Sequence, residues 1–174
     1  MWKPDIPTIE GSENVYLLRG AYRHAWTASQ DPVTKTGALI VNSNLETVSI
    51  AANCFPRGLN PSPDQVLDRN WKYKHIIHAE PGAVLAAARQ GRSTEGTIMY
   101  MPWVPCVSCA KVIIGAGVRK LIGHQPLIEQ TPERWWEDTG RAIDLLKKCG
   151  VDVAMYSGPI GEVRSLFNGI EWAP

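Results

Sequence analysis

Two short stretches restrict this chain more than anything else in it: His78-Ala79-Glu80, and Pro105-Cys106-Val107-Ser108-Cys109, whose first cysteine falls 28 residues after His78. Each opens a segment of helical character, Ala79 to Gln90 and Cys106 to Ala116, stopped by Gly91 and Gly117. Between them, Thr97 to Met101 reads as a strand. Cys106 and Cys109 are three apart at a helix start, so both sulfurs lie on one face. A helix N-terminus also favours thiolate over thiol. His78 reaches them only if the two helices lie side by side on a sheet. One imidazole and two thiolates make three zinc ligands, whereas structural zinc sites close with four; three leave a position for water and point to catalysis. Glu80 falls close to such a metal without having to bind it, where a carboxylate can take and return a proton.

The remaining chain supplies a matching frame. Leu17, Leu18, Ala21, Ala25 and Ala28 have helical spacing within Val15 to Ser29, and Asp31-Pro32 ends that helix. Gly37 to Val41 and Thr47 to Ala52 read as two strands of a hairpin across Asn42 to Asn44. Asn53 to Lys74, with Pro56, Gly58, Pro61 and Pro63, reads as a long irregular loop, a length usual in functional segments. Lys120 to Gly123 is a short strand. Thr131-Pro132 resembles an N-cap with proline in the first helical position, opening a helix to about Cys149, and Val151 to Tyr156 is the last strand. The tail from Ser157 has no regular pattern. This alternation predicts an α/β layered domain, a five-stranded sheet covered by helices. With 174 residues, a single domain over 1–174 is expected, its core about 15–156, with an N-terminal extension and a C-terminal tail.

Composition narrows the function classes. Lys and Arg number 18 against 17 Asp and Glu, a net charge of +1, which argues against coating a polynucleotide but leaves room for a pocket for one small anion. No apolar run approaches the ~20 residues of a membrane span. The N-terminus carries acids and prolines where a signal peptide would be apolar, so a cytoplasmic protein is expected. The four cysteines, Cys54, Cys106, Cys109 and Cys149, do not read as a disulfide framework. A lone Cys-x-x-Cys could be a redox pair or a structural metal site; the His-x-Glu and the strand-then-helix context weigh against both. His75 as a fourth ligand would close the open position, and His24 and His124 read as surface or satisfied histidines.

At these residues the chain resembles the cytidine and deoxycytidylate deaminase superfamily, and within it the deoxycytidylate (dCMP) deaminases, over about Ala21 to Met155. His-x-Glu followed by Pro-Cys-x-x-Cys is the zinc deaminase pattern. Ala28 to Val41 resembles the family's Ser-x-Asp-Pro…Gly-Ala-x-Ile-Val opening, Ala51 to Gly58 its Asn-Gly-Phe-Pro-Arg-Gly element, and Met99 to Ile122 its Met-Tyr-Val…Pro-Cys-x-x-Cys-Ala-Lys stretch. The resemblance implies a three-layer α/β/α cytidine-deaminase-like fold with a five-stranded mixed sheet. It implies Zn2+ on His78, Cys106 and Cys109, with Glu80 as the catalytic proton shuttle, in the hydrolysis of dCMP to dUMP and ammonia. Asn53 would contact the sugar or base, and the Ala79 N–H the pyrimidine carbonyl. Arg57 would take the phosphate, ahead of Arg69, Lys72 and Lys74; Lys72 and Lys74 otherwise read as a solvated loop. A small-molecule nucleotide as partner and a homo-oligomer, dimer or hexamer, are implied as well.

The chain also departs from that pattern. Pro81-Gly82 replaces a variable residue and an asparagine, Cys54 replaces a glycine, and Pro102-Trp103-Val104 stands where Thr-Leu-Ser is common, so that the Trp103 indole would border the pocket. These changes leave the metal chemistry alone and bear on base and sugar preference. A modified cytosine nucleotide or another amino-heterocycle stays open as substrate. So does single-stranded nucleic acid, with Trp71 and Trp103 as stacking candidates, and a non-catalytic zinc-binding module, which would have no use for Glu80. Of Trp135 and Trp136, at least one is expected in the core.

Overall fold

A computed structural model describes residues 3–174. The elements are β1 (Thr8–Ile9), α1 (Ser12–Ala28), β2 (Gly37–Val41), β3 (Thr47–Ala52), α2 (Pro63–Leu67), α3 (Arg69–His75), α4 (Ala79–Arg89) and β4 (Ile98–Tyr100). They continue with α5 (Val107–Gly115), β5 (Lys120–His124), α6 (Gln125–Ile128), α7 (Glu133–Lys148), β6 (Asp152–Tyr156), β7 (Ser165–Phe167) and β8 (Ile170–Trp172). The sheet runs β1-β6-β5-β4-β2-β3. β2 is antiparallel to both its neighbours, and β4, β5, β6 and β1 are mutually parallel. The mixed sheet and its layers match the expectation, but it has six strands rather than five. The sixth is the two-residue β1, too short to leave a pattern in sequence, whose Thr8 and Ile9 pair with Met155 and Tyr156.

Alternation along β2 sorts the two faces. Ala38 and Ile40 join a core with Ala79, Ala83 and Ala87 of α4, Ala110 and Ile113 of α5, and Ala142 and Leu146 of α7. Leu39 and Val41 point the other way, into a core with Leu17, Leu18, Ala21 and Tyr22 of α1. β2 is buried on both faces along its whole length, which is why it reads as a continuous apolar run. Small residues bring the helices close. A Cβ at Gly37 would stand 2.4 Å from the Ala21 carbonyl oxygen, and one at Gly82 would stand 3.1 Å from Ala51 Cβ. Gly82 in place of asparagine is therefore a packing residue, seating the first turn of α4 on β3.

Three further expectations are corrected. The loop Asn53 to Lys74 contains α2 and α3, held by a reciprocal Ser62–Gln65 capping box and by Asp68 accepting from the Asn70 and Trp71 N–H groups. Helix α7 takes Pro132 itself as N-cap and begins at Glu133; the Thr131 hydroxyl instead donates to the Ile128 carbonyl, 2.6 Å. The tail forms the β7–β8 hairpin, fastened to the segment after α1 by Lys35 N–H to Leu166 O and Gly169 N–H to Val33 O, both 2.8 Å. No helix among the described residues is long and apolar enough to cross a membrane.

His124 is fully buried. Its Nε2 lies 2.9 Å from the Gly158 carbonyl and its Nδ1 2.8 Å from the Tyr22 hydroxyl. A carbonyl only accepts, so Nε2 carries the proton and Nδ1 accepts from Tyr22: a neutral ring, fully paired. Burial lowers its pKa, and burial lowers that of the half-buried His24 as well. The unfolded chain protonates these rings near the ordinary value of about 6.5 while the native protein does not. The unfolded state then binds more protons, so stability is present above that value and falls as pH drops below it toward the native pKa. The thermal unfolding midpoint is expected to decline from about pH 6.5 downward, and to decline less steeply in His124→Gln, which keeps a donor and an acceptor but does not titrate.

Candidate active site

His78 is the N-cap residue of α4 and Cys106 the N-cap residue of α5, both with extended backbone. His78 Nδ1 lies 3.8 Å from Cys106 Sγ and 3.4 Å from Cys109 Sγ, and the three donor atoms fall within 4.8 Å of one another. With Zn–S near 2.3 Å and Zn–N near 2.0 Å, tetrahedral edges between a nitrogen and a sulfur come to roughly 3.6 Å. The measured separations straddle that value, so the residues fit a zinc ion. Two tertiary ties set the geometry. The Cys54 N–H donates to Ile77 O at 3.0 Å and the Ile77 N–H to Cys54 O at 2.7 Å, fixing the residue before His78. Cys54 thus contributes here through its backbone. Asp138 of α7 accepts from the Val107 N–H at 3.2 Å, anchoring the start of α5.

Of the three donors only Cys106 already has the form that binds a metal; His78 and Cys109 hold protons that leave when their atoms become ligands. The Cys106 thiol is brought down to about 4, chiefly by the hydrogen bond from Cys109 and against the effect of burial, with His78 adding to the lowering. The hydrogen bond to Cys106 raises His78 to about 9, against burial. Cys109 keeps its proton, pushed up by its bond to Cys106 and by burial; this proton leaves when the sulfur becomes a ligand. Glu80, in the first turn of α4, is only 3% exposed. Burial pushes its carboxyl upward, opposed mainly by the charge of His78, and so moves it toward the range where an acid can also serve as a base.

These groups open into a single pocket. His78, Glu80, Cys106, Asn53 and Trp103 line it, as expected from sequence. Asn53 does so while fixing α4: its Oδ1 accepts from the Ala79 N–H at 3.0 Å. That N–H is therefore engaged by Asn53, and Ala79 is fully buried and does not line the pocket, so the carbonyl contact expected of it has no unengaged donor in this structure. Trp103 donates Nε1–H to Thr131 Oγ1 at 2.8 Å and meets Phe167 and Trp135 edge-on. Neither Trp135 nor Trp136 is fully buried; Trp135 is pocket wall, and Trp136 Nε1–H donates to the Thr131 carbonyl at 2.7 Å.

Other candidates fall elsewhere. Arg57 is exposed and does not line the pocket. Arg69 and Lys74 are exposed on α3. Lys72 is neither solvated nor at the pocket surface: it is buried, its Nζ 2.7 Å from Asp31 Oδ1. Asp31 also accepts from the Val33 and Thr34 N–H groups. Trp71 stacks on His75 with ring centroids 4.0 Å apart, outside the pocket lining, and His75 stands apart from the metal cluster. Among the pocket residues not foreseen from sequence are Tyr73, Arg134, Phe167 and Asn168, which belong to no local motif, and Asp31, which lies in the Ser-x-Asp-Pro element but to which the sequence reading gives no part in the site. These five come from four separate segments that only the folded chain brings together.

An α/β/α frame, three metal donors at two adjacent helix starts and a buried glutamate beside them define a zinc-dependent hydrolase. Residues 12–125 match the cytidine and deoxycytidylate deaminase zinc-binding region. An uncharacterized deaminase from Aliivibrio fischeri is 36% identical over 128 residues, 72% of this chain and 81% of that protein. The mouse deoxycytidylate deaminase is 29% identical over 166 residues, covering 91% of this chain and 88% of its own. The chain belongs to the cytidine and deoxycytidylate deaminase family. Its fold superposes on the dCMP deaminase of cyanophage S-TIM5, solved with dCMP and dUMP, with a TM-score of 0.64 at 22% identity, over 84% of this chain and 98% of that one.

Proposed function

We propose that this chain, acting as one deaminase domain over residues 1–174, hydrolyses the exocyclic amino group of a cytosine nucleotide, converting dCMP to dUMP and ammonia. The observation that carries the proposal is Glu80, buried in the first turn of α4 beside the donor set of His78, Cys106 and Cys109. Relatives of this chain bearing the name deoxycytidylate deaminase support the choice of substrate. When bound by those three residues, zinc supplies a Lewis acid that lowers the pKa of water to about 7. Glu80 takes a proton from the attacking water and delivers one to ring N3. As the water oxygen bonds to C4, Glu80 takes the proton that remains on that oxygen and passes it to the amino group; the C4–N4 bond breaks, ammonia leaves, and the oxygen stays as the C4 carbonyl. Asn53 orients the sugar or base from the pocket wall, and Trp103 bounds the space for the ring.

The same reading places the protein in the cytoplasm as a homo-oligomer acting on a free nucleotide. Its supports are the four thiols, none in a disulfide, and a net charge of +1, which does not favour a polynucleotide. The test is ammonia release by zinc-loaded protein from cytidine, deoxycytidine, CMP, dCMP, dCTP, 5-methyl-dCMP and a short single-stranded oligonucleotide. Turnover of dCMP above the others is expected. Turnover of the oligonucleotide alone, or of none with zinc bound, overturns the proposal.

A further inference from the structure

A nucleotide brings a phosphate into the pocket, and the pocket offers it little positive charge. Of the acidic side chains lining it, Asp31 is neutralised by Lys72 at 2.7 Å, and Glu80 sits at the metal donors. The one lysine or arginine in the lining is Arg134, in the first turn of α7. Among the described residues no carboxylate pairs with it; its hydrogen bond is from Nη2 to Asn168 Oδ1, 2.9 Å. Both Arg134 and Arg57, the arginine favoured by the sequence resemblance, are exposed, but only Arg134 belongs to this lining.

The surroundings of Arg134 are built to hold it. Asn168 has a left-handed backbone, φ 52°, in the turn between β7 and β8. Its N–H donates to Thr34 Oγ1 at 3.1 Å, and the next residue, Gly169, donates to Val33 O at 2.8 Å. With Oδ1 accepting from Arg134, Asn168, itself in the pocket lining, keeps its amide nitrogen as a further donor. Pro132 caps α7 without a side-chain hydrogen bond, its carbonyl taking the Trp135 N–H at 2.9 Å, and Arg134 stands in the first turn, at the positive end of a 16-residue helix. A planar fork, an amide donor and a helix N-terminus together suit a tetrahedral dianion.

We propose that Arg134, held by Asn168, receives the 5′-phosphate and is the residue that makes this site select a nucleoside monophosphate over the nucleoside. The assignment rests on the deaminase reading above. It places the base at the Glu80 end of the pocket and the phosphate at the α7 end, with the aromatic wall of Trp103 and Trp135 between.

The experiment compares kcat/KM for dCMP and for deoxycytidine in zinc-loaded wild type, Arg134→Ala, Arg134→Lys and Arg57→Ala. In Arg134→Ala the ratio of the two values is expected to fall about 100-fold, mostly through KM for dCMP, the scale of losing charge-assisted hydrogen bonds. Lysine restores only part, because an ammonium lacks the fork. A second readout needs no turnover: quenching of tryptophan fluorescence by dUMP against deoxyuridine, where the preference for dUMP should fall by the same factor. An unchanged ratio in Arg134→Ala, an equal loss for both substrates, or a collapse in Arg57→Ala instead overturns the assignment. If wild type deaminates neither compound, the deaminase reading fails and the fluorescence titration alone decides: a dUMP preference lost in Arg134→Ala upholds the phosphate site, and no preference in wild type overturns it.

Discussion

Glu80→Gln is expected to lower the rate of ammonia release by about 10⁴-fold, the upper range for a positioned proton carrier, because this one carboxylate serves every proton transfer in the proposed reaction. Glutamine has nearly the same shape, so the buried first turn of α4 keeps its packing and the three metal donors keep their places. Zinc content by elemental analysis and the thermal midpoint should therefore match wild type. Burial already disfavours the charged form of Glu80, so a neutral amide adds no unpaired charge to the interior. That separates this variant from a ligand substitution such as Cys109→Ser, in which metal and activity would be lost together. Retention of more than about a hundredth of the wild-type rate, with zinc bound, would show that another group moves the protons.

Lys72→Met is expected to destabilise the protein by about 3–5 kcal/mol, the cost of leaving one charge of a buried pair without its partner. Both side chains are 5% exposed, and Asp31 keeps only the Val33 and Thr34 N–H groups once the ammonium is gone. At 174 residues such a loss lowers the melting temperature by roughly 10 °C or more. The double variant Lys72→Met/Asp31→Asn should recover a large part of the loss, since the uncompensated charge is then removed as well. An effect under about 1 kcal/mol in the single variant would mean that water reaches the pair and that it behaves as a surface bridge. Because Asp31 lines the pocket, weakened dCMP binding is expected alongside the lower stability.

The comparison of sequence with structure divides along how far apart the partners of each residue lie. The long elements and their layering were legible because burial on one helix face or along a central strand imposes a period on neighbouring residues. The metal donors were legible for a related reason: each half of the set stands within three residues of a helix start. β1, α6 and the β7–β8 hairpin are too short to impose a period; β1 exists through pairing with β6, and the hairpin is fastened to the segment after α1. Lys72 shows the limit most plainly. It sits between Trp71 and Tyr73 in a polar, proline-bearing segment whose composition resembles solvated loop, yet its partner lies 41 residues earlier. Arg134 was hidden for the same reason, since a lone arginine at a helix start has nothing in sequence to connect it with Asn168 or with Glu80.

The hairpin at the C-terminal end has a bearing on the order in which this protein matures on the ribosome. Phe167 and Asn168 complete the pocket wall, and they follow the metal donors by two helices and two strands. The histidine and both cysteines are therefore synthesised well before the wall that encloses them. The substrate cavity has its full wall only once the last hairpin docks against the segment after α1. The donor set is thus complete in the growing chain before the residues that give the cavity its last wall.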